Sequence, residues 1–501
     1  MPNYAPRVIV KFKNDQVAPQ TDEAADRFLE TLKGRSSWKE LRAVFPGIEI
    51  QKLDLSPHTL KQLTRLVDQA IDSEPRYAEH APNFLTYFAV TYSPPVNPHD
   101  VAAAFSALPW STLVERAYVE ARPSKKFPSG FLGVLMPNPL ATRSDLGYLR
   151  AAPEGIDARF AWTIPGGDGA AGALQFADVE SNWDFGHPAL PSLQPSPPNP
   201  IYGVLNNRTT GGLPPIDHGT GALGIVVARD NTFFPRLFGP MSIGITPEVI
   251  NTWVASYWTG DSTWNLAGAI SEALLKVSQG DVVLLEMQWD LQLDAQTVWQ
   301  LPAEYDHLSY EAIKAGTVAG KVVVEAAGNA GINLDTDPQA RGIYIPQLVR
   351  GSGYDSGAII VSAAHSELPH KPWMAVDSKG QPAGRTHNFG GRIDCFAWGD
   401  NIHTITSRQN ASRSQLFSGT SGASAIVAGA ALSIQGMNKV IKGAPLPAYD
   451  MRNYLSDKTL NTPSYDPIND KIGVMPNLKA IAQKLGFVDV PPAPPINLVV
   501  K

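Results

Sequence analysis

The chain has 501 residues, and 41 Lys and Arg against 47 Asp and Glu give a net charge of −6, which excludes the strongly basic class of nucleic-acid binders. With 42 Gly, 43 Pro and 43% hydrophobic residues the composition is that of a packed globular protein, not a low-complexity chain. The single cysteine, Cys395, excludes an intramolecular disulfide framework and any cysteine-held metal cluster.

Residues 1 to 121 alternate β-patterned and amphipathic runs: Arg7 to Lys13, a helical Asp22 to Lys33, a helical Thr59 to Ile71, an extended Leu85 to Tyr92, a helix over Pro98 to Leu108 and an extended Leu113 to Ala121. This pattern predicts a small α+β module. Residues 122 to 150 collect Pro123, Pro128, Pro137 and Pro139 with Lys125 and Lys126, a composition that suits an exposed linker. From 151 to 487, strand-like runs at Ala173 to Val179, Val282 to Met287, Lys321 to Ala326 and Ala358 to Ala363 alternate with helical patterns at Gly219 to Arg229, Trp264 to Val277, His307 to Ala315 and Ser421 to Gln435. That alternation predicts one α/β domain, a mostly parallel sheet with helices on both faces. The proline-rich stretch 188 to 215 reads as a surface insertion, and 488 to 501 as a Pro-rich tail.

The apolar stretches Asp281 to Asp290 and Ser424 to Met437 fall short of the roughly 18 residues a spanning helix needs, so no membrane partner is expected. Charges at Arg7, Lys11, Lys13 and Asp15 interrupt the first residues, which lack a signal-peptide core. The expected address is cytoplasmic, or extracellular if the chain has been trimmed.

Four segments place a reactive side chain beside small residues at a strand end or a helix start, where α/β active sites collect. They are Asp178 at the end of Gly172 to Asp178, His218 opening a helix in Asp217 to Gly224, Asn329 after a strand in Val322 to Gly331, and Ser421 opening a helix in Phe417 to Ser424. Acyl transfer needs a hydroxyl activated by an imidazole, a carboxylate that fixes the imidazole tautomer, and donors for the oxyanion. A serine at a helix N-terminus offers its hydroxyl where the first-turn N–H groups favour negative charge. The side-chain amide of Asn329 can donate to the oxyanion.

With Asp178 at a strand end, His218-Gly219-Thr220, Ala326-Ala327-Gly328-Asn329 and Ser418-Gly419-Thr420-Ser421-Gly422-Ala423-Ser424 in this order, the chain resembles the subtilisin-like serine proteases (subtilases, peptidase S8). The resemblance runs from about Gly155 to Gly486. It implies a subtilisin-like fold and a serine endopeptidase with Asp178, His218 and Ser421 as triad and Asn329 in the oxyanion hole. Polypeptides are the implied substrates, with Ala326, Ala327 and Gly328 as substrate-binding residues.

The sequence departs from the family pattern at several places. Val179-Glu180 follows Asp178 where a small hydroxyl residue and a glycine are usual, Gly221 replaces a second histidine, and Ala425 replaces a proline after the serine motif. Val283 to Gln288 stands where a Ser-Leu-Gly-like run normally lines the cleft, so Glu286 and Gln288 are further candidates for substrate binding.

The first module resembles the family's inhibitor-like propeptide, a ferredoxin-like α+β unit that folds on the catalytic domain and sends its tail through the cleft. That resemblance implies a self-inhibited zymogen cut within Glu120 to Arg150. Two other readings stand beside the protease: an inactive protease-like peptide-binding module, and a triad esterase or acyltransferase.

Other signals carry less. The GxGxxG pattern at Gly167 to Gly172 precedes a strand rather than following one. His365, Glu367 and His370 lack helical zinc-site spacing, so no catalytic metal or cofactor is expected. Asn333, Asp335 and Asp337 offer oxygens for a structural calcium but lack an EF-hand's glycine and distal glutamate. Cys395 reads as a buried small hydrophobe.

Overall fold

The computed structural model describes residues 6–14, 29, 35–53, 55–107, 110–123, 146–195, 198–206, 215–229, 243–261, 263–294, 297–343, 345–349, 353–376, 382–408 and 414–488. The helix expected at Asp22 to Lys33 apart from Leu29, most of the expected linker and cleavage region, and nearly all of the Pro-rich tail lie outside these residues.

In the first module, β1 (Val8–Phe12), β2 (Glu49–Lys52), β3 (Tyr87–Thr91) and β4 (Val114–Val119) form an antiparallel sheet in the order β2-β3-β1-β4. This is the strand order of the ferredoxin-like arrangement expected for it. Helices Arg35–Val44, Pro57–Ser73 and Pro98–Ser106 connect the strands. The last two start on a proline behind a capping side chain, Ser56 and Asn97, which accept from the N–H of Thr59 and His99. Helix Arg35–Val44 and β2 were not anticipated. Each is short, and β2 has only one fully buried residue to mark a face.

The module sits against the larger domain. Helix Pro57–Ser73 packs on helices Leu266–Lys276 and His307–Val318. Gln62 donates to Glu272 at 2.8 Å, Arg116 to Gln347 at 2.8 Å, Tyr118 to Asp306 at 2.6 Å and Tyr305 to the Val119 carbonyl at 2.9 Å. The chain then leaves as β5 (Arg122–Pro123), which pairs antiparallel with β9 (Trp289–Gln292) of the hairpin that β9 forms with β10 (Val298–Leu301).

The large sheet has eight strands. From one edge these are Thr462–Pro463, Val474–Met475, Cys395–Trp398, β12 (Ile359–Ala364), β11 (Val322–Ala326), β8 (Val282–Leu285), β6 (Gln175–Glu180) and β7 (Asn251–Ser256). Every pairing is parallel except that of the two short edge strands. The predicted mostly parallel sheet covered on both faces is therefore present.

Side chains alternate across the sheet with period two. Ala177, Val179, Val283, Leu285, Val323 and Ile360 join the core that also holds the first module and helices Leu266–Lys276 and His307–Val318. Phe176, Val282, Leu284, Val322, Val324 and Val361 face the other core, built with helices Pro215–Val227 and Gly419–Lys442. Asp178 and Glu180 fall in step with Phe176, on the face of these two helices. Among the described residues no helix is long and apolar enough to cross a membrane.

Cys395 is fully buried on its strand, and burial pushes its thiol pKa up, as suits a small apolar residue. The oxygens of Asn333, Asp335 and Asp337 serve a turn. They accept from the backbone N–H of Asp335, Gly391 and Asn333 respectively, and Asp335 also pairs with Lys471 at 3.2 Å.

Candidate active site

Strand β6 continues past Asp178, and its last residue is Glu180. Glu180, rather than Asp178, is the carboxylate in contact with His218. His218 Nδ1 lies 2.5 Å from Glu180 Oε2, with both side chains buried. Glu180 Oε1 accepts from the backbone N–H and the hydroxyl of Ser181, each at 2.8 Å, so both carboxylate oxygens are engaged. Asp178, expected in this role, instead accepts from the Trp183 indole at 2.7 Å, and its other oxygen has no partner. Burial and the neighbouring Glu180 charge raise the pKa of Asp178 well above the ordinary carboxylate range. Asp178 is thus turned away from the imidazole and its ionisation is disfavoured, whereas Glu180 is held in place by two donors and faces the ring.

His218 stands in the first turn of Pro215–Val227, whose start is tied down by Asp217 accepting from Thr406 Oγ1 (2.7 Å) and Ser407 N (2.8 Å). The following Gly219 is required by proximity. A Cβ there would come within 2.3 Å of the Asn182 carbonyl and 2.9 Å of Glu180 Cγ. The imidazole packs on Phe417, ring centroids 4.9 Å apart, at the start of the serine motif. Ser421, 8% exposed, lies in the first turn of helix Gly419–Lys442, which Ser418 precedes in extended conformation.

Asn329 follows β11 and bridges the site. Its Oδ1 accepts from Thr420 N (3.0 Å) and Thr420 Oγ1 (3.1 Å), which ties it to the residue before Ser421. Its Nδ2 donates to Gln288 Oε1 at 3.2 Å, and its backbone N–H to the same oxygen at 3.1 Å. Both donors of Asn329 thus converge on the one side-chain oxygen of Gln288.

The remaining expected contacts are distributed differently. Ala326 and Ala327 are buried in the sheet, and Gly328 turns the chain at φ +93° where a Cβ would meet the Gln300 carbonyl at 2.4 Å. These three shape the turn that presents Asn329. Glu286 does not project into open space; it is buried against helix Gly419–Lys442, where its Oε1 lies 2.7 Å from Ser424 Oγ. Gln288 is half-buried beside Asn329. Sequence reasoning missed Glu180 as the partner of His218, although the alternation Phe176, Asp178, Glu180 carried a signal that the strand face continues.

A family model described as the subtilase family (peptidase S8) matches residues 216–474, just over half of the chain. No curated protein sequence matches the chain. Solved structures similar in fold include the prenylagaramide maturation protease PagA, at 16% identity and TM-score 0.40 over 65% of this chain and 97% of that one. The epidermin leader peptide processing serine protease EpiP from Staphylococcus aureus matches at 14% identity and TM-score 0.48, over 95% of this chain and 97% of its own. The MycP3 protease of the type VII (ESX-3) secretion system matches at 18% identity and TM-score 0.42, over 68% of this chain and 90% of its own. With its mostly parallel sheet and the matched span from the His218 helix through the Ser421 motif, the chain belongs to the subtilase family of serine proteases.

Proposed function

We propose that the protein is a serine endopeptidase with a Glu180, His218 and Ser421 triad. Ser421 Oγ attacks the scissile carbonyl carbon and its proton passes to His218. Asn329 Nδ2, after parting from Gln288, and the Ser421 N–H stabilise the oxyanion. Collapse of the tetrahedral intermediate expels the amine with the proton from His218, and water then hydrolyses the acyl-enzyme by the same route. Glu180 orients the ring and offsets the imidazolium charge. The observation that carries this reading is the buried 2.5 Å contact of His218 Nδ1 with Glu180, beside the serine motif.

We further propose that the first module is a self-inhibitory propeptide. Its support is β5, which extends from the module onto the edge of β9, next to Gln288.

The test is intact mass after a fluorophosphonate probe on wild type and Ser421→Ala, with a denatured protein as substrate in parallel. A Ser421-dependent adduct with proteolysis is expected. No adduct and no cleavage, even after nicking between residues 124 and 145, would favour an inactive peptide-binding module.

A further inference from the structure

Beneath the serine turn lies a carboxyl group that the triad chemistry does not use. Glu286, just past β8, is 4% exposed, and its Oε1 sits 2.7 Å from Ser424 Oγ. Its Oε2 makes no hydrogen bond. The Ser421 hydroxyl acts on the same carboxyl as a weak influence that favours its charged form, smaller than that of burial.

Ser424 Oγ also lies 2.8 Å from the Thr420 carbonyl and 3.0 Å from the Ser421 carbonyl. One hydroxyl has one proton for these three oxygens. A helical serine commonly spends it on the carbonyl four residues back, here Thr420. Ser424 Oγ then has a lone pair to offer Glu286, and the contact is satisfied when the carboxyl carries the proton. An ionised Glu286 would bury a negative charge whose nearest donor, the Ser424 hydroxyl, is shared with two carbonyls, which is costly.

We propose that Glu286 is a positioning residue for the nucleophile: a neutral carboxylic acid that donates to Ser424 Oγ and so fixes the turn carrying Ser421. This rests on Ser421 being the nucleophile. The charged and titratable groups facing Glu286 are Asp178 and Glu180 on β6, with His218 beyond Glu180 on helix Pro215–Val227. Burial first, with the neighbouring acids Asp178 and Glu180 adding to it against the hydroxyls of Ser424 and Ser421, raises its pKa well above the ordinary value. When Glu286 ionises, Ser424 must reverse its hydrogen bond and a negative charge appears beside the developing oxyanion. Both effects slow attack by Ser421.

The test is the rate of Ser421 phosphonylation by a fluorophosphonate across pH, on the full chain before and after nicking between residues 124 and 145, for wild type, Glu286→Gln and Glu286→Ala. The Gln side chain can donate to Ser424 and cannot ionise. Wild type is expected to lose reactivity on an alkaline limb, and Glu286→Gln to keep most of the neutral-pH rate without that limb. Glu286→Ala is expected to fall by about 10²-fold at neutral pH, the cost of a displaced reacting group. An alkaline limb that persists in Glu286→Gln overturns the proposal, as does a Gln variant as slow as the Ala variant. If Glu286→Ala does not fold, the pH profile of Glu286→Gln decides alone. Absence of Ser421 labelling in wild type at every pH, nicked or not, instead rejects the protease reading on which the proposal stands.

Discussion

His218 Nδ1 meets Glu180 Oε2 at 2.5 Å, while Asp178, two residues earlier on the same strand face, is turned to the Trp183 indole. The two carboxyl groups therefore have separate partners. Glu180→Gln is expected to lower kcat by on the order of 10⁴-fold, because an amide cannot both fix the tautomer and offset the imidazolium. Asp178→Asn is expected to cost less than about tenfold, since it keeps an acceptor for Trp183 and removes no charge from the ring. Steady-state kinetics on the two variants decide between them, and a larger loss from Asp178→Asn would restore the aspartate as the triad acid.

Docking of the first module is expected to depend on pH through His307 and Glu311. His307 Nε2 lies 3.3 Å from Glu311 Oε1 and 3.8 Å from Glu115 Oε1 of the module, with Lys11 Nζ 3.4 Å from Glu115. Burial, with help from Arg116, lowers the His307 pKa to about 3, and burial with the Glu115 charge raises Glu311 to about 7. In a separated domain exposed to water the two return toward 6.5 and 4.5. Between those ordinary values the docked and separated states each hold one proton on the pair, so affinity is flat. Above about 6.5 the docked state alone retains a proton, on Glu311, and docking weakens until about pH 7. Below about 4.5 the separated state binds more protons, and docking weakens toward pH 3 by about 1.4 kcal/mol per unit. After nicking between residues 124 and 145, size-exclusion chromatography across this range should show the tightest association near pH 5.5. An affinity that rises steadily in either direction would contradict the assignment.

Gln288 competes for the amide that the oxyanion needs, since its Oε1 holds both the N–H and the Nδ2 of Asn329. Gln288→Ala is expected to speed phosphonylation of Ser421. Gln288→Glu, which sets a carboxylate beside the same donors, is expected to slow it by roughly 10²-fold, comparable to losing one oxyanion donor. Equal rates for both variants would show that Gln288 leaves Asn329 without cost.

Away from the site, Arg392 is a keystone for stability. It donates to both oxygens of Glu304 (2.9 and 3.0 Å) and to Asp394 (2.9 Å), all three side chains being buried. Arg392→Met is expected to destabilise the fold by about 3–5 kcal/mol, because buried Glu304 loses its counter-ion and Asp394 is left with Arg452 alone. Denaturant unfolding at neutral pH measures it, and a loss under about 1 kcal/mol would mean that Arg452, which also reaches Asp394 at 2.9 Å, compensates.

The sequence by itself determined the central strands β6, β8, β11 and β12 with the helices between them, and the placement of His218, Asn329 and Ser421 beside small residues at strand ends and helix starts, while β7 and the strands beyond β12 went unread. Those features are local: apolar periodicity selects strand or helix, and glycine or a hydroxyl marks where a turn or a helix begins. The length of β6 was not local. Val179 pairs with Ala255 of β7 and Leu285 of β8, the strand extends to Glu180 because Ser256 of β7 pairs with it, and period two then carries Glu180 to the His218 face. Only packing decided which of two nearby acids meets the imidazole. The same holds for Glu286 and Gln288, whose segment suggested a cleft lining. The crossing of β8 under helix Gly419–Lys442 buried the first against Ser424 and left the second beside Asn329.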